Sequence, residues 1–139
     1  FEAAATGEPT KWYYTQMHAY VGYGFYVSAN DDNLVWHGTI EDAAKYIAEG
    51  ANHDDYLWGF VGNIWDGFKM VNKAGKAVIS TGDGAVTVGE LANATAFKAW
   101  KSKAGGEWLC MKHPTTGNYL NLNSGKSIID HWNENAVAE

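Results

Sequence analysis

An all-β chain built from three repeats of 40–50 residues is the fold class this sequence predicts, and three observations carry the prediction. Short apolar or alternating runs recur between Gly, Asn and Asp, as expected for strands of about 4–6 residues joined by turns. A Trp-led cadence is repeated: "YLWGFVGNIWDGFKMVNKAGK", Tyr56 to Lys76, is echoed by "EWLCMKHPTTGNYLNLNSGK", Glu107 to Lys126. The chain also holds 16 Gly against 2 Pro, enough to supply many turns at positive φ.

The repeat has three copies. Its anchors are Trp12, Trp58 and Trp108, spaced 46 and 50 residues apart. Each is followed by an aromatic behind Gly or Asn: Gly24-Phe25, Gly67-Phe68 and Asn118-Tyr119. The runs "FYVSANDDNL", "FKMVNKAGKA" and "YLNLNSGKSI" come next. A further strand follows in each, "LVWHG", "AVTVG" and "SIIDHW", and then an Ala-rich linker, "EDAAKYI", "ANATAFKAW" and "ENAVAE". "KAVIST" and "EWLCMK" also read as strands. Short helical turns are expected in the linkers. "TIEDAAKYIAEG" carries Thr39 as an N-cap and Gly50 as a stop, and "GELANATAFKAWKSK" supports a second short helix. The predicted repeats cover about 11–54, 55–104 and 105–139 of a single domain, 1–139.

Three units of about four strands, none able to bury its own apolar face, close around a shared core as a β-trefoil. Closure also removes exposed strand edges. A propeller uses similar periods but needs more copies with Gly-His and Trp-Asp marks. Gly-His is absent here, and Trp-Asp occurs once, at Trp65-Asp66, out of register. The repeated aromatics are therefore expected to be core residues.

Composition narrows the partners. The net charge is −6 and the ten cations are all scattered Lys, with no Arg. That argues against a nucleic-acid backbone as partner and against Arg-forked recognition of phosphate or acidic glycans. The lone Cys110 forms no internal disulfide and reads as an inert core thiol. No apolar run approaches the roughly 20 residues of a membrane-spanning helix.

Catalytic and metal motifs are missing. The five His show no ligand spacing, and "HDD" at His53–Asp55 reads as a solvated loop. No carboxylate spacing points to a glycosidase pair. No cofactor, metal or catalytic residue is expected. Three stretches instead combine an aromatic with hydroxyl-bonding side chains, the chemistry that stacks on a sugar ring and bonds its rim. "DDNLVWHG" offers Asp32, Asn33, Trp36 and His37. "DHWNEN" offers Asp130, His131, Trp132, Asn133 and Asn135. "NIWDG" offers Trp65 and Asp66 in a turn. The plainer reading for Trp36 and Trp132 is core packing, whereas Trp65, ahead of Asp-Gly, is better placed for exposure.

The segments "LWGFVGNIWDGFKMVNKAGKAV" and "TGNYLNLNSGKSIIDHWNENA", with "KWYYTQM" near the start, resemble the ricin-B-like β-trefoil lectin modules. They are closest to modules appended to secreted glycan-degrading or surface proteins of gut anaerobic bacteria. The resemblance spans nearly the whole chain. It implies a secreted or cell-surface, non-catalytic, carbohydrate-binding module. Such a module would hold an attached glycoside hydrolase or surface domain on a neutral glycan, with neighbouring domains of the same polypeptide as its other partners and no membrane insertion. A structural spacer that binds no sugar is the alternative, and a trefoil protease inhibitor a remote third. Two features depart from the family pattern. The Gln-x-Trp signature is replaced by "AKYI" and "FKAW", and the third repeat lacks a closing strand unless "FEAAA" fills that slot.

Overall fold

The computed structural model describes residues 2–15, 23–27, 34–37, 40–101, 109–122 and 128–132. In chain order the elements are β1 (Ala3–Ala4), β2 (Tyr23–Val27), β3 (Leu34–His37), α1 (Ile40–Ala48), β4 (Trp58–Asn63), β5 (Gly67–Asn72), β6 (Ala77–Ser80), β7 (Gly84–Gly89), β8 (Lys98–Lys101), β9 (Leu109–Lys112), β10 (Tyr119–Leu122) and β11 (Ile128–Trp132). Two 3₁₀ turns, His53–Tyr56 and Leu91–Asn93, complete the list. The described residues are all-β with one small helix. In α1, Glu41 and Asp42 in the first turn and Lys45 in the last complement the helix dipole. Gly50, at φ 109°, follows its end.

The two echoed segments form the same object. β4 pairs antiparallel with β5, and β9 with β10. In each repeat the aromatic-led strand also pairs with the strand that follows it: β2 with β3, β5 with β6, β10 with β11. Here the structure corrects the expected alignment. "AVTVG", now β7, does not pair with β5; the strand that does so is "AVIS", β6. β7 is an addition that pairs with β6 on one side and β11 on the other.

The described strands form a nine-stranded sheet, in the order β1-β4-β5-β6-β7-β11-β10-β9-β8, and a separate β2–β3 pair. This is not the closed barrel expected. The ladder stops at β8, and its return to the start is made by an isolated bridge. Phe68 and Phe97 exchange main-chain hydrogen bonds of 2.8 Å each, and the Ala99 amide donates to the Ile64 carbonyl at 3.3 Å. The short helical turn expected in "GELANATAFKAWKSK" is a single 3₁₀ turn at Leu91–Asn93, after which the segment becomes strand β8.

Alternation places the core. Trp58, Phe60, Phe68, Met70, Val78, Val86, Phe97 and Leu120 are buried together, with the Phe60 and Phe68 rings edge to face at 5.7 Å. Val71, Ala77 and Ala94 form a smaller cluster under Leu91. The thiol of Cys110 is buried in β9, opposite Trp100 of β8. A polar lock ties the Ser80–Asp83 turn to the His113–Asn118 turn. Thr116 Oγ1 and Asn118 Nδ2 both donate to the Gly82 carbonyl, at 2.8 and 2.7 Å. The amides of Thr115 and Thr116 donate to His113 Nδ1, so the ring proton sits on Nε2 and points to the Ser80 carbonyl at 3.3 Å.

The start of the chain takes an unforeseen place. "FEAAA" was expected to serve the third repeat if it served any. Instead β1 runs parallel to β4, with Ala3 opposite Phe60 and Ala4 opposite Val61. That is the flank of β4 corresponding to the one β8 takes on β9. The first repeat's own linker is helical there, as α1, which leaves this flank open. The following segment continues along the edge, where Tyr13 and Trp58 exchange hydrogen bonds of 2.8 Å. The close approach needs a glycine, because a Cβ on Gly59 would lie 2.3 Å from Pro9 Cβ. Gly59→Ala therefore displaces the 2–13 segment from the sheet. The expected loss is about 1–3 kcal/mol, read as a lower thermal midpoint and as faster proteolysis ahead of Tyr13.

Candidate functional site

The turn joining β4 to β5 is built to hold an aromatic in solvent. Gly62, at φ 120°, lies so close to its partner strand that a Cβ would meet the Gly67 carbonyl oxygen at 2.4 Å. Asn63 then folds its side chain over the turn. Its Oδ1 accepts from the Trp65 amide at 2.7 Å and from the Asp66 amide at 3.3 Å. Trp65 is 77% exposed, and Asp66 beside it is also exposed. An apolar side chain of this size gains on the order of 2 kcal/mol from burial, so the exposed placement forgoes that gain. The two residues assigned to this loop thus sit together on a firmly hydrogen-bonded tip.

A residue the sequence reading missed lies next to them. Trp100 closes "FKAW", the stretch that stands in place of the Gln-x-Trp signature, and only alternate positions of that stretch pack. Phe97 is fully buried and Ala99 half-buried, whereas Lys98 and Trp100 face out, with Trp100 49% exposed. The hydrogen bond from Ala99 to Ile64 makes Trp65 and Trp100 sequence neighbours of one linked pair. Lys112 Nζ lies 4.8 Å from the centre of the Trp100 ring, a cation–π contact that orients the indole. The signal was present in the period-2 alternation of Phe97, Lys98, Ala99 and Trp100.

The other predicted residues lie elsewhere. In β3, Trp36 is opposite Phe25 and His37 opposite Tyr23; in β11, Trp132 is opposite Tyr119 and Asp130 opposite both Leu120 and Gly84. His131 lies between them in the same strand. Trp36 and Trp132 thus occupy equivalent register positions across from the aromatic that leads each repeat. Asp32, Asn33, Asn133, Asn135 and the anchor Trp108 lie outside the described residues. A third exposed aromatic, Tyr14, hydrogen-bonds through its hydroxyl to His53 Nε2, with the rings 5.7 Å apart. Among the described residues, no three His, Cys, Asp or Glu side chains are grouped to hold a metal ion. No described helix is long and apolar enough to cross a membrane.

No protein-family model and no curated protein sequence matches the chain. The fold is nevertheless shared with a solved structure of a sugar complex. That structure is SeviL bound to asialo-GM1 saccharide; it aligns at a TM-score of 0.55 and 16% identity over 86% of each chain.

If Trp65 serves binding rather than folding, its removal is thermodynamically silent. Trp65→Ala is expected to change unfolding free energy by no more than about 0.5 kcal/mol, measured by denaturant titration. Phe97→Ala, three residues from Trp100 but buried, costs about 3–5 kcal/mol in the same experiment.

Proposed function

We propose that this domain is a non-catalytic carbohydrate-binding module of β-trefoil type. Its role is to retain an attached catalytic or surface domain on a neutral glycan outside the cell. One observation carries the reading: the exposed indole of Trp65 on its asparagine-clamped tip, with Asp66 beside it and Trp100 on the linked strand. An indole face supplies apolar area for the C–H side of a pyranose, and the adjacent carboxylate accepts from ring hydroxyls. The shared fold with SeviL, solved with a bound saccharide, supports the same reading. So does the resemblance to ricin-B-like modules of secreted proteins from gut anaerobes. The clusters Asp32–Trp36–His37 and Asp130–His131–Trp132–Asn133–Asn135 are proposed as further sugar contacts, each weak alone. Avidity through neighbouring domains raises weak single-site affinity to useful retention.

The spacer alternative draws on the same residues, since exposed apolar area also marks a docking face for another domain. Affinity electrophoresis of the isolated domain through gels carrying neutral polysaccharides separates the two. Retardation by at least one polymer is expected. Trp65→Ala or Trp100→Ala should weaken it by about tenfold, or ~1.4 kcal/mol each. A domain that no glycan retards, and whose tryptophan variants lose only contact with a neighbouring domain, is a spacer.

A further inference from the structure

The anchor tryptophans of the repeats do not share one fate. Trp58 is completely buried in the core, but Trp12 is only half-buried. Trp12 instead forms one wall of a cavity of about 220 Å³ between the 8–12 segment and the turn after β5. This is below the roughly 300–1,000 Å³ of sites for drug-sized ligands, so it suits a single small ring. Val71 and Leu91, from the smaller apolar cluster, make the floor. Exposed Glu8 and Lys73 stand on the lining with opposite charges.

The walls are firmly set. Pro9 rests on Gly59, and Tyr13 is doubly bonded to Trp58, so Trp12 is held between two fixed points. The Glu2 carboxylate grips Lys11 Nζ at 2.7 Å, and that hydrogen bond and its charge hold the Lys11 ammonium above the usual lysine range. On the opposite side the Lys73 amide donates to the Leu57 carbonyl at 2.9 Å. Lys69 Nζ donates to the carbonyl of Leu91 at 3.2 Å, which fixes the 3₁₀ turn that carries the floor.

Asn72 supplies the chemistry. It is fully buried and lines the cavity. Its Oδ1 accepts from the Lys76 amide at 2.9 Å, which orients the side-chain amide, and its Nδ2 has no hydrogen-bond partner. An unpaired buried donor is costly and uncommon, and is satisfied by an acceptor that arrives from outside. We propose that this cavity binds a single neutral pyranose ring. The ring stacks its C–H face on Trp12 and presents a hydroxyl oxygen to Asn72 Nδ2, while Glu8 accepts from an outer hydroxyl. The donor is buried in this structure, so the ring must displace part of the lining to reach it. The rim charges offset each other and stand in solvent, where screening weakens them. Selection therefore rests on the neutral amide and the indole, which suit a sugar better than an ion. The site does not depend on the Trp65–Trp100 surface.

The test is a titration of the ¹⁵N-labelled chain with methyl glycosides of glucose, galactose, mannose and N-acetylglucosamine at millimolar concentration. Trp12→Phe and Asn72→Asp assign the indole and side-chain amide signals. At least one glycoside is expected to shift both signals saturably, and to do so equally in the Trp65→Ala/Trp100→Ala double variant. Asn72→Asp keeps the acceptor for Lys76 but loses the donor, and should weaken binding about tenfold. If that variant does not fold, Trp12→Phe decides, with a several-fold loss expected. The proposal is overturned if no glycoside moves the two signals, if affinity is unchanged in the variants that fold, or if glycine, as a zwitterion, saturates the signals while glycosides do not. Loss of polysaccharide retardation with these shifts intact counts against the Trp65 surface alone.

Discussion

Phe68 and Phe97 exchange two main-chain hydrogen bonds, and the return of the ladder to the β4–β5 hairpin depends on that exchange. Each bond contributes only about 1 kcal/mol net, as hydrogen bonds in folded proteins do. Their effect is mainly geometric. They bring the far end of a nine-stranded ladder back against the β4–β5 hairpin, so both phenylalanine rings enter one core with Trp58, Met70 and Val78. The same contact sets β8 beside the tip that carries Trp65. Core formation and the placement of two exposed indoles are thus consequences of a single pairing.

Two further constraints hold the framework. The Gly82 carbonyl accepts from Thr116 and Asn118, 34 and 36 residues away, and the Ser80 carbonyl accepts from His113 Nε2, which joins the two turns without a disulfide. At the other edge the N-terminal segment covers β4, whose outer flank would otherwise be an open strand edge, the kind of surface that recruits other chains. That coverage also turns Trp12 away from the position its counterpart Trp58 holds. The cavity beside Asn72 therefore follows from how one edge was closed.

Much of this was legible from residue pattern, and the failures have physical causes. Strands β2, β3, β5, β6, β7, β9, β10 and β11 coincide with runs read as strands between turn residues, and α1 carries its acidic first turn openly. Partnership was less readable than existence. "AVTVG" has as good a strand pattern as "KAVIST", and only register decides which of them lies against β5. Closure was overstated, because a repeat fixes what each unit looks like but not how its ends meet. For the two-residue β1 it was the partner that could not be read: β4 is 57 residues away and parallel, and Ala-Ala carries no strand signature. For the site, exposure of Trp65 followed from its turn context. Trp100 was hidden inside a motif read as a block rather than residue by residue.

The solitary thiol in β9 has a use beyond packing. Cys110 is 2% exposed and its strand is held between β8 and β10. A thiol-specific reagent in solution can react only while this part of the sheet is parted, so the modification rate becomes a clock for local opening. Because Trp100 lies across from it, a glycan that grips the indole would slow that clock without touching the sulfur. The chain thus carries a built-in reporter of events at that indole, one strand away on the same face of the pair.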